Sequence, residues 1–211
     1  MSQPKLLPKL RVTVEDYLRM ERAAEERHTY CDGVITAMAG ESLSHGRISV
    51  NLVMVTGMHL RGHPCEALTK DTKIRSGRPG PWNPRATAGL FSYPDIVIVC
   101  GPIEFHDDHK DVITNPTAII EVLSPSTELF DRGKKFERYH QWNPTLRDYL
   151  LVHQDQPHIE LFTRQPESKW LFSRILGMES TVEIPSIGCV LKLADVYDRV
   201  ELPKEEPGEE A

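Results

Sequence analysis

The chain has no C-x-x-C pair: its four cysteines, Cys31, Cys65, Cys100 and Cys189, are scattered through 211 residues. That spacing suggests neither a zinc knuckle nor a disulfide framework, and the thiols read as reduced. No apolar run approaches the length of a membrane span, and Met1-Ser2-Gln3-Pro4-Lys5 lacks the apolar core of a secretory signal. A soluble, cytoplasmic protein with no membrane association is expected. Positive charge is also scarce, since 25 Lys and Arg face 31 Asp and Glu for a formal charge of −6. This argues against a protein that coats nucleic acid nonspecifically, because phosphate binding is dominated by Lys and Arg. Several of the acids lie in an acidic tail over 201–211 that reads as disordered. No internal repeat and no sign of a second domain is found. With 39% hydrophobic residues, the chain is long enough for one core, expected over 13–200 after an N-terminal extension over 1–12.

The elements can be read from periodicity and punctuation. Thr13 precedes Val14-Glu15-Asp16 as a helix N-cap, with acids in the first turn. Asp32-Gly33 lies between His28-Thr29-Tyr30-Cys31 and Val34-Ile35-Thr36-Ala37-Met38, which predicts a hairpin. Ile48, Leu52 and Val55 recur at helical spacing within 44–60, and Gly62 with Pro64 supplies a stop. Short strands over 65–69 and 72–75 precede a Gly- and Pro-rich loop from Ser76 to Phe91. Segments 95–100 and 117–123 are almost continuously apolar, as central strands covered on both faces are. Ser124-Pro125-Ser126-Thr127 turns the chain into a helix ending near Trp142, with Phe130, Phe136 and Tyr139 facing inward. A strand over 148–152, a meander through 158–162 and 170–172, and a short helix near Leu193 to Tyr197 complete an α/β chain.

An acid inside an apolar strand needs an explanation, because burying an ionised carboxylate is costly unless it is paired or binds a cation. Glu121 stands in Ile119-Ile120-Glu121-Val122-Leu123, and Asp95 enters the strand Ile96-Val97-Ile98-Val99. The basic segment Asp131-Arg132-Gly133-Lys134-Lys135 follows directly. Two carboxylates and a lysine in this pattern can surround one divalent metal. Asp95 can equally be a turn residue, and Lys135 can belong to a solvated face or pair with Asp131. Lys134 is adjacent in sequence but falls on a different helix face. His106 and His109 read as part of a solvated polar loop.

The succession Thr13-Val14-Glu15-Asp16-Tyr17, Arg27-His28-x-Tyr30-x-Asp32-Gly33, Met38-Ala39-Gly40-x-Ser42-x-x-His45, Tyr93-Pro94-Asp95, Glu121-Val122-Leu123-Ser124-Pro125-Ser126-Thr127 and Asp131-x-Gly133-x-Lys135-x-x-x-Tyr139 resembles the Uma-two family. These are restriction-endonuclease-like proteins of the PD-(D/E)XK nuclease superfamily. The resemblance implies a restriction-endonuclease-like core, a mixed central β-sheet flanked by helices, here with an additional C-terminal antiparallel meander. It makes Asp95 and Glu121 the superfamily's two acids. The superfamily's lysine normally stands two residues after the second acid, where this chain has Leu123, and Lys135 looks like its replacement. Many relatives carry an acid three residues before the Asp-Gly pair; this chain has Thr29, for which Glu26 is a candidate substitute.

Phosphodiester hydrolysis would then use Mg2+ or Mn2+ held by Asp95 and Glu121, with the backbone carbonyl of Val122 completing the protein ligands. Lys135 would orient the attacking water. Asp71 is a candidate further ligand or turn cap, and His45 a candidate contact to the site or an ordinary helix N-terminal residue. DNA is the implied substrate, and a homodimer is expected by analogy with enzymes that cut both strands. The competing expectation, from the net acidity and the departures at Leu123 and Thr29, is a noncatalytic interaction module with the same fold.

Overall fold

The computed structural model describes residues 11–38, 40–78, 83 and 85–203. Most of the expected N-terminal extension and acidic tail, and Pro79–Trp82 and Pro84 of the expected loop, lie outside the described residues. Helix α1 (Val14–Ala23) begins where Thr13 accepts a 3.1 Å hydrogen bond from the Asp16 amide, and it buries Val14, Tyr17, Leu18 and Glu21. Strands β1 (His28–Cys31) and β2 (Val34–Ala37) form the hairpin, with Asp32 at φ 49° and Gly33 at φ 88°. Positive φ at both central residues is the geometry that selects Asp-Gly. Ser42 caps α2 (Leu43–His59) by accepting from the His45 amide, and His45, Ile48, Leu52 and Thr56 form its buried face.

The strands β3 (Cys65–Thr69), β4 (Lys73–Ser76), β5 (Leu90–Ser92), β6 (Ile96–Cys100), β7 (Val112–Ile113) and β8 (Ala118–Val122) follow. The next helix comes in three pieces: α3 (Glu128–Phe130), a π-helical turn (Asp131–Lys135) and α4 (Phe136–Trp142). After it come β9 (Asp148–Val152), β10 (His158–Arg164), β11 (Trp170–Leu176), β12 (Thr181–Ile184), β13 (Cys189–Lys192) and α5 (Leu193–Val196). The main sheet runs β11-β10-β9-β8-β6-β3. Only β8 and β9 pair in parallel there, joined by the helical crossover, so the sheet is mixed and the meander extends it. The architecture is the expected mixed α/β core with helices on the sheet, and β12–β13 add a C-terminal antiparallel pair.

The core explains the continuous apolar strands. Ile96, Ile98, Ile120 and Val122 pack with Ile48 and Leu52 of α2, whereas Val97, Val99, Ile119 and Leu123 pack with Tyr139 of α4 and Tyr149 of β9. Each buried Val, Leu or Ile contributes about 1.5–3 kcal/mol. Glu121 alternates onto the α4 face, where an aliphatic residue would be the ordinary occupant.

Two expectations are corrected. The loop expected from Ser76 to Phe91 instead contributes Ser76 to β4 and Leu90 and Phe91 to β5 (Leu90–Ser92), which lie side by side in a second sheet ordered β2-β1-β5-β4-β7. Leu90, Phe91 and Ser92 are all buried there, too short a run to show periodicity. The cysteines are not all free either. Antiparallel pairing sets Cys65 of β3 opposite Cys100 of β6, and a disulfide joins them, leaving Cys31 and Cys189 as buried thiols. A separation of 35 residues hides a pairing that only strand register reveals, and the disulfide removes the thiol argument for a reducing compartment. Among the described residues, no helix is long and apolar enough to cross a membrane.

Candidate metal centre

The pairing of β6 with β8 sets Ile96 opposite Ile120, so Asp95 at the entry to one strand meets Glu121 and Val122 at the exit of the other. Asp95 Oδ2 accepts a 2.7 Å hydrogen bond from the Val122 amide. That bond fixes the aspartate through backbone on a central strand, a more rigid support than a loop. His45, reaching in from the first turn of α2, sets Nε2 3.5 Å from Asp95 Oδ2 and Nδ1 3.6 Å from Glu41 Oε2. Burial disfavours the imidazolium, but Asp95, Glu41 and the backbone of Val122 outweigh it and raise the His45 pKa above its ordinary value. Val122 meets Asp95 through its amide, whereas the role expected from the sequence is its carbonyl on the metal.

Behind this layer lies a second one. Lys135 Nζ bridges Glu121 Oε1 at 2.8 Å and Asp131 Oδ1 at 2.9 Å. Tyr139 also donates to Glu121 Oε1, at 3.2 Å, and exchanges a 2.9 Å hydrogen bond with Ser92. Both donors converge on Oε1, so Oε2 is the oxygen left to take a proton or a cation. Burial, then Asp131 and Asp95, push the Glu121 carboxyl up to about 8 against the pull of Lys135. Burial alone would lower Lys135, yet Asp131 and Glu121 hold it well above its ordinary value. The inner layer is therefore a Lys135 ammonium shared between Asp131 and a Glu121 carboxyl that burial disposes to keep its proton. Asp131 and Lys135 delimit the π turn, a helix irregularity found often at functional sites.

Lys135 is buried, not on a solvated face, and it pairs with Asp131 while also touching Glu121. Lys134 is on another face, half exposed and 3.2 Å from Asp32. Glu41, His45, Asp95, Glu121, Asp131 and Lys135 all line one cleft of about 780 Å³, as does Thr29. Glu26 is exposed and does not line it. Asp71 stands apart as well: it sits in the turn between β3 and β4, largely exposed and 2.8 Å from Arg27. The turn directs it to solvent, and its reading as a further ligand ends there. Asp71→Asn is expected to leave divalent-cation affinity within about twofold of wild type by calorimetric titration; a tenfold loss would restore Asp71 to the site.

Glu41 was missed by sequence reasoning. It occupies the unspecified position between Gly40 and the cap Ser42, yet with His45 and Asp95 it offers donor atoms that all lie within 4.8 Å of one another. An acid just before a helix cap that is followed by histidine on the first turn is a signal that could have found it. The π turn had a signal too, because Gly133 inside a helix costs about 1 kcal/mol relative to Ala. The loop histidines stay apart, His109 being exposed beside Asp107.

The donor set fits a divalent cation. Four carboxylates line the cleft against one buried lysine, and oxygen-rich sites select hard cations such as Mg2+ or Mn2+.

A mixed sheet whose neighbouring central strands present two acids to a lysine on the crossover helix defines a restriction-endonuclease-like fold. The family model described as "Putative restriction endonuclease", Uma2, matches residues 14–194, and the chain belongs to that family. It is 37% identical over 198 residues to "Uncharacterized protein slr1290" of Synechocystis sp., covering 92% of each chain. It is 28% identical over 172 residues to "Uncharacterized protein sll1609" of the same organism, covering 82% of this chain and 92% of that one. A crystal structure from Anabaena variabilis, described as "a putative nuclease belonging to DUF820", superposes with a TM-score of 0.67 at 16% identity, covering 88% of this chain and 97% of that one. At that identity the match speaks for the fold.

Proposed function

We propose that this chain is a Mg2+- or Mn2+-dependent endonuclease that hydrolyses DNA phosphodiester bonds. The observation that carries this reading is the convergence of Asp95, anchored by the Val122 amide, and buried Glu121, paired with Lys135, in one cleft. Asp95, Glu121 and the Val122 carbonyl would hold the ion, with Glu41 a further carboxylate within reach of Asp95. When bound, the ion supplies Lewis-acid polarisation of the phosphoryl oxygen.

The chain's own groups divide the remaining tasks. Lys135, oriented by Asp131 and Glu121, places an ammonium where it can position the attacking water and offset the charge of the transition state. His45, favoured as the imidazolium by Asp95 and Glu41, is a donor for a nonbridging phosphate oxygen. Asp95 fixes the geometry through its backbone bond. One such cleft per chain serves one strand, so cutting a duplex calls for a homodimer.

The test is nicking of supercoiled plasmid in Mg2+ or Mn2+ by wild type, Asp95→Asn and Glu121→Gln. Wild type is expected to nick, and each variant to lose on the order of 100-fold or more. Absence of cation-dependent nicking in the wild type, or equal nicking in all three, overturns the proposal in favour of a noncatalytic module.

A further inference from the structure

Helix α2 is apolar on both sides. His45, Ile48, Leu52 and Thr56 turn inward, yet the outward face carries Leu43, Val50, Met54 and Met58, which are 70%, 58%, 57% and 68% exposed. A surface helix ordinarily turns charged and polar residues to water, and one that is hydrophobic all round belongs between two partners. Segment 43–59 contains no Asp or Glu, and Arg47 is its one Lys or Arg. Leu43, Arg47, Val50, Met54 and Gly57 recur at steps of four, three, four and three, the 3.5-residue repeat with which one helix seats along another.

This row is complementary to itself. When two copies are laid antiparallel about a twofold axis at the level of Leu52, Val50 of each faces the partner's Met54. Arg47, the bulkiest residue of the row, then faces the partner's Gly57, where an added Cβ would meet nothing within 4 Å. At 1.5 Å per residue the two Arg47 side chains are rooted about 15 Å apart along the row, well beyond the screening length of about 8 Å. Each keeps Glu201, 3.1 Å away and 88% exposed, as its counter-ion. A parallel pairing would instead set Arg47 against Arg47. An anionic membrane surface fits less well, since helices that lie on one are rich in Lys and Arg, and the single arginine here already has an acid.

We infer that the outward face of α2 is the interface of an isologous, antiparallel homodimer, with a second copy of this chain as its occupant. Fully burying an apolar side chain of this size removes about 60–120 Å² from water, so the exposed fractions of the four give roughly 150–300 Å² per copy. With about 65% of a homodimer interface apolar, that corresponds to roughly 500–900 Å² in total, less than the ~1,200 Å² at which stable complexes begin. The dimer is therefore weak and concentration-dependent in the free protein. That a second copy is wanted at all rests on the proposed cutting of both strands, and a duplex held by two subunits adds to their affinity. Because α2 carries His45 into the cleft, the antiparallel pairing sets the two clefts at opposite ends of the dimer, with the His45 backbones about 21 Å apart along the row.

The test is sedimentation equilibrium of the full chain, without metal or DNA, from micromolar to submillimolar concentration. Wild type is expected to pass from monomer to dimer across that range. Met54→Glu, which sets two carboxylates into the row, is expected to weaken association on the order of tenfold or more with its far-ultraviolet circular dichroism unchanged. Crosslinking reads the register independently. Val50→Cys mixed with Met54→Cys is expected to yield a disulfide-linked pair on mild oxidation, whereas Leu43→Cys, whose two copies stand about 27 Å apart, yields none. A monomer throughout, which would leave the face to a different partner, association indifferent to Met54→Glu, or crosslinking of Leu43→Cys overturns the inference. A dimer of this register that nicks no DNA sinks the nuclease reading and leaves the interface standing; nicking by a protein that stays monomeric does the reverse.

Discussion

Glu121→Gln is expected to raise the thermal stability of the metal-free protein at pH 8 while removing its cation-dependent activity. The sign follows from linkage. Burial and the neighbouring Asp131 and Asp95 raise the Glu121 carboxyl from its ordinary 4.5 to about 8, so the native state binds a proton that the unfolded chain releases. That contribution to stability is complete below pH 4.5 and is lost as the pH rises through 8, at up to about 1.4 kcal/mol per pH unit between them. Gln mimics the protonated acid at every pH. The difference in melting temperature between variant and wild type should therefore be small at pH 5 and widen towards pH 8. Adding Mg2+ or Mn2+ at pH 8 should stabilise the wild type, whose Oε2 exchanges its proton for the ion, and leave the variant unmoved. A melting difference independent of pH would show that Glu121 is ionised throughout and that its partners neutralise it.

Lys135→Met carries the second large effect, in the opposite direction. It removes the cation that sits 2.8 Å from Glu121 and 2.9 Å from Asp131, leaving buried Asp131 without its ion-pair partner. Breaking a buried pair in this way costs about 3–5 kcal/mol. Urea unfolding at pH 7.5 should show that loss. The variant is also expected to bind divalent cations at least as well as the wild type while failing to nick DNA, because the lysine competes with the ion yet serves the chemistry. Wild-type stability in Lys135→Met would mean that the ion pairs are immaterial to the fold. Retained nicking would remove Lys135 from the reaction.

How much of this could be read before the fold was seen depends on whether the cause is local. The Asp32-Gly33 hairpin and the caps at Thr13 and Ser42 rest on backbone chemistry within four residues, and the pattern shows them. Glu121 is legible for a different reason: an acid where packing calls for an aliphatic residue contradicts its surroundings, and functional sites are where local rules break. Asp95 is only half legible, since its importance comes from the Val122 amide 27 residues away. Glu41 reaches Asp95 through the placement of α2 against β6, and Cys65 reaches Cys100 through strand register; neither relation has a signature along the chain. β5 and β7 are too short for periodicity, and they form strands because neighbours complete their hydrogen bonds. Lys135 is legible by its place in a motif, and it lies buried in the π turn while Lys134 faces outward.

The disulfide between Cys65 and Cys100 bears on how the molecule opens as well as how it closes. β3 is the outermost strand of the main sheet, and an edge strand ordinarily frays ahead of its neighbours, baring a row of amides to water or to another chain. Here its first residue is bonded to the last residue of β6, the strand that Asp95 enters. With the bond intact, the edge is expected to fray from its far end at Thr69, which amide exchange would read. With the bond reduced, β3 is expected to open as a separate, weaker unit of unfolding.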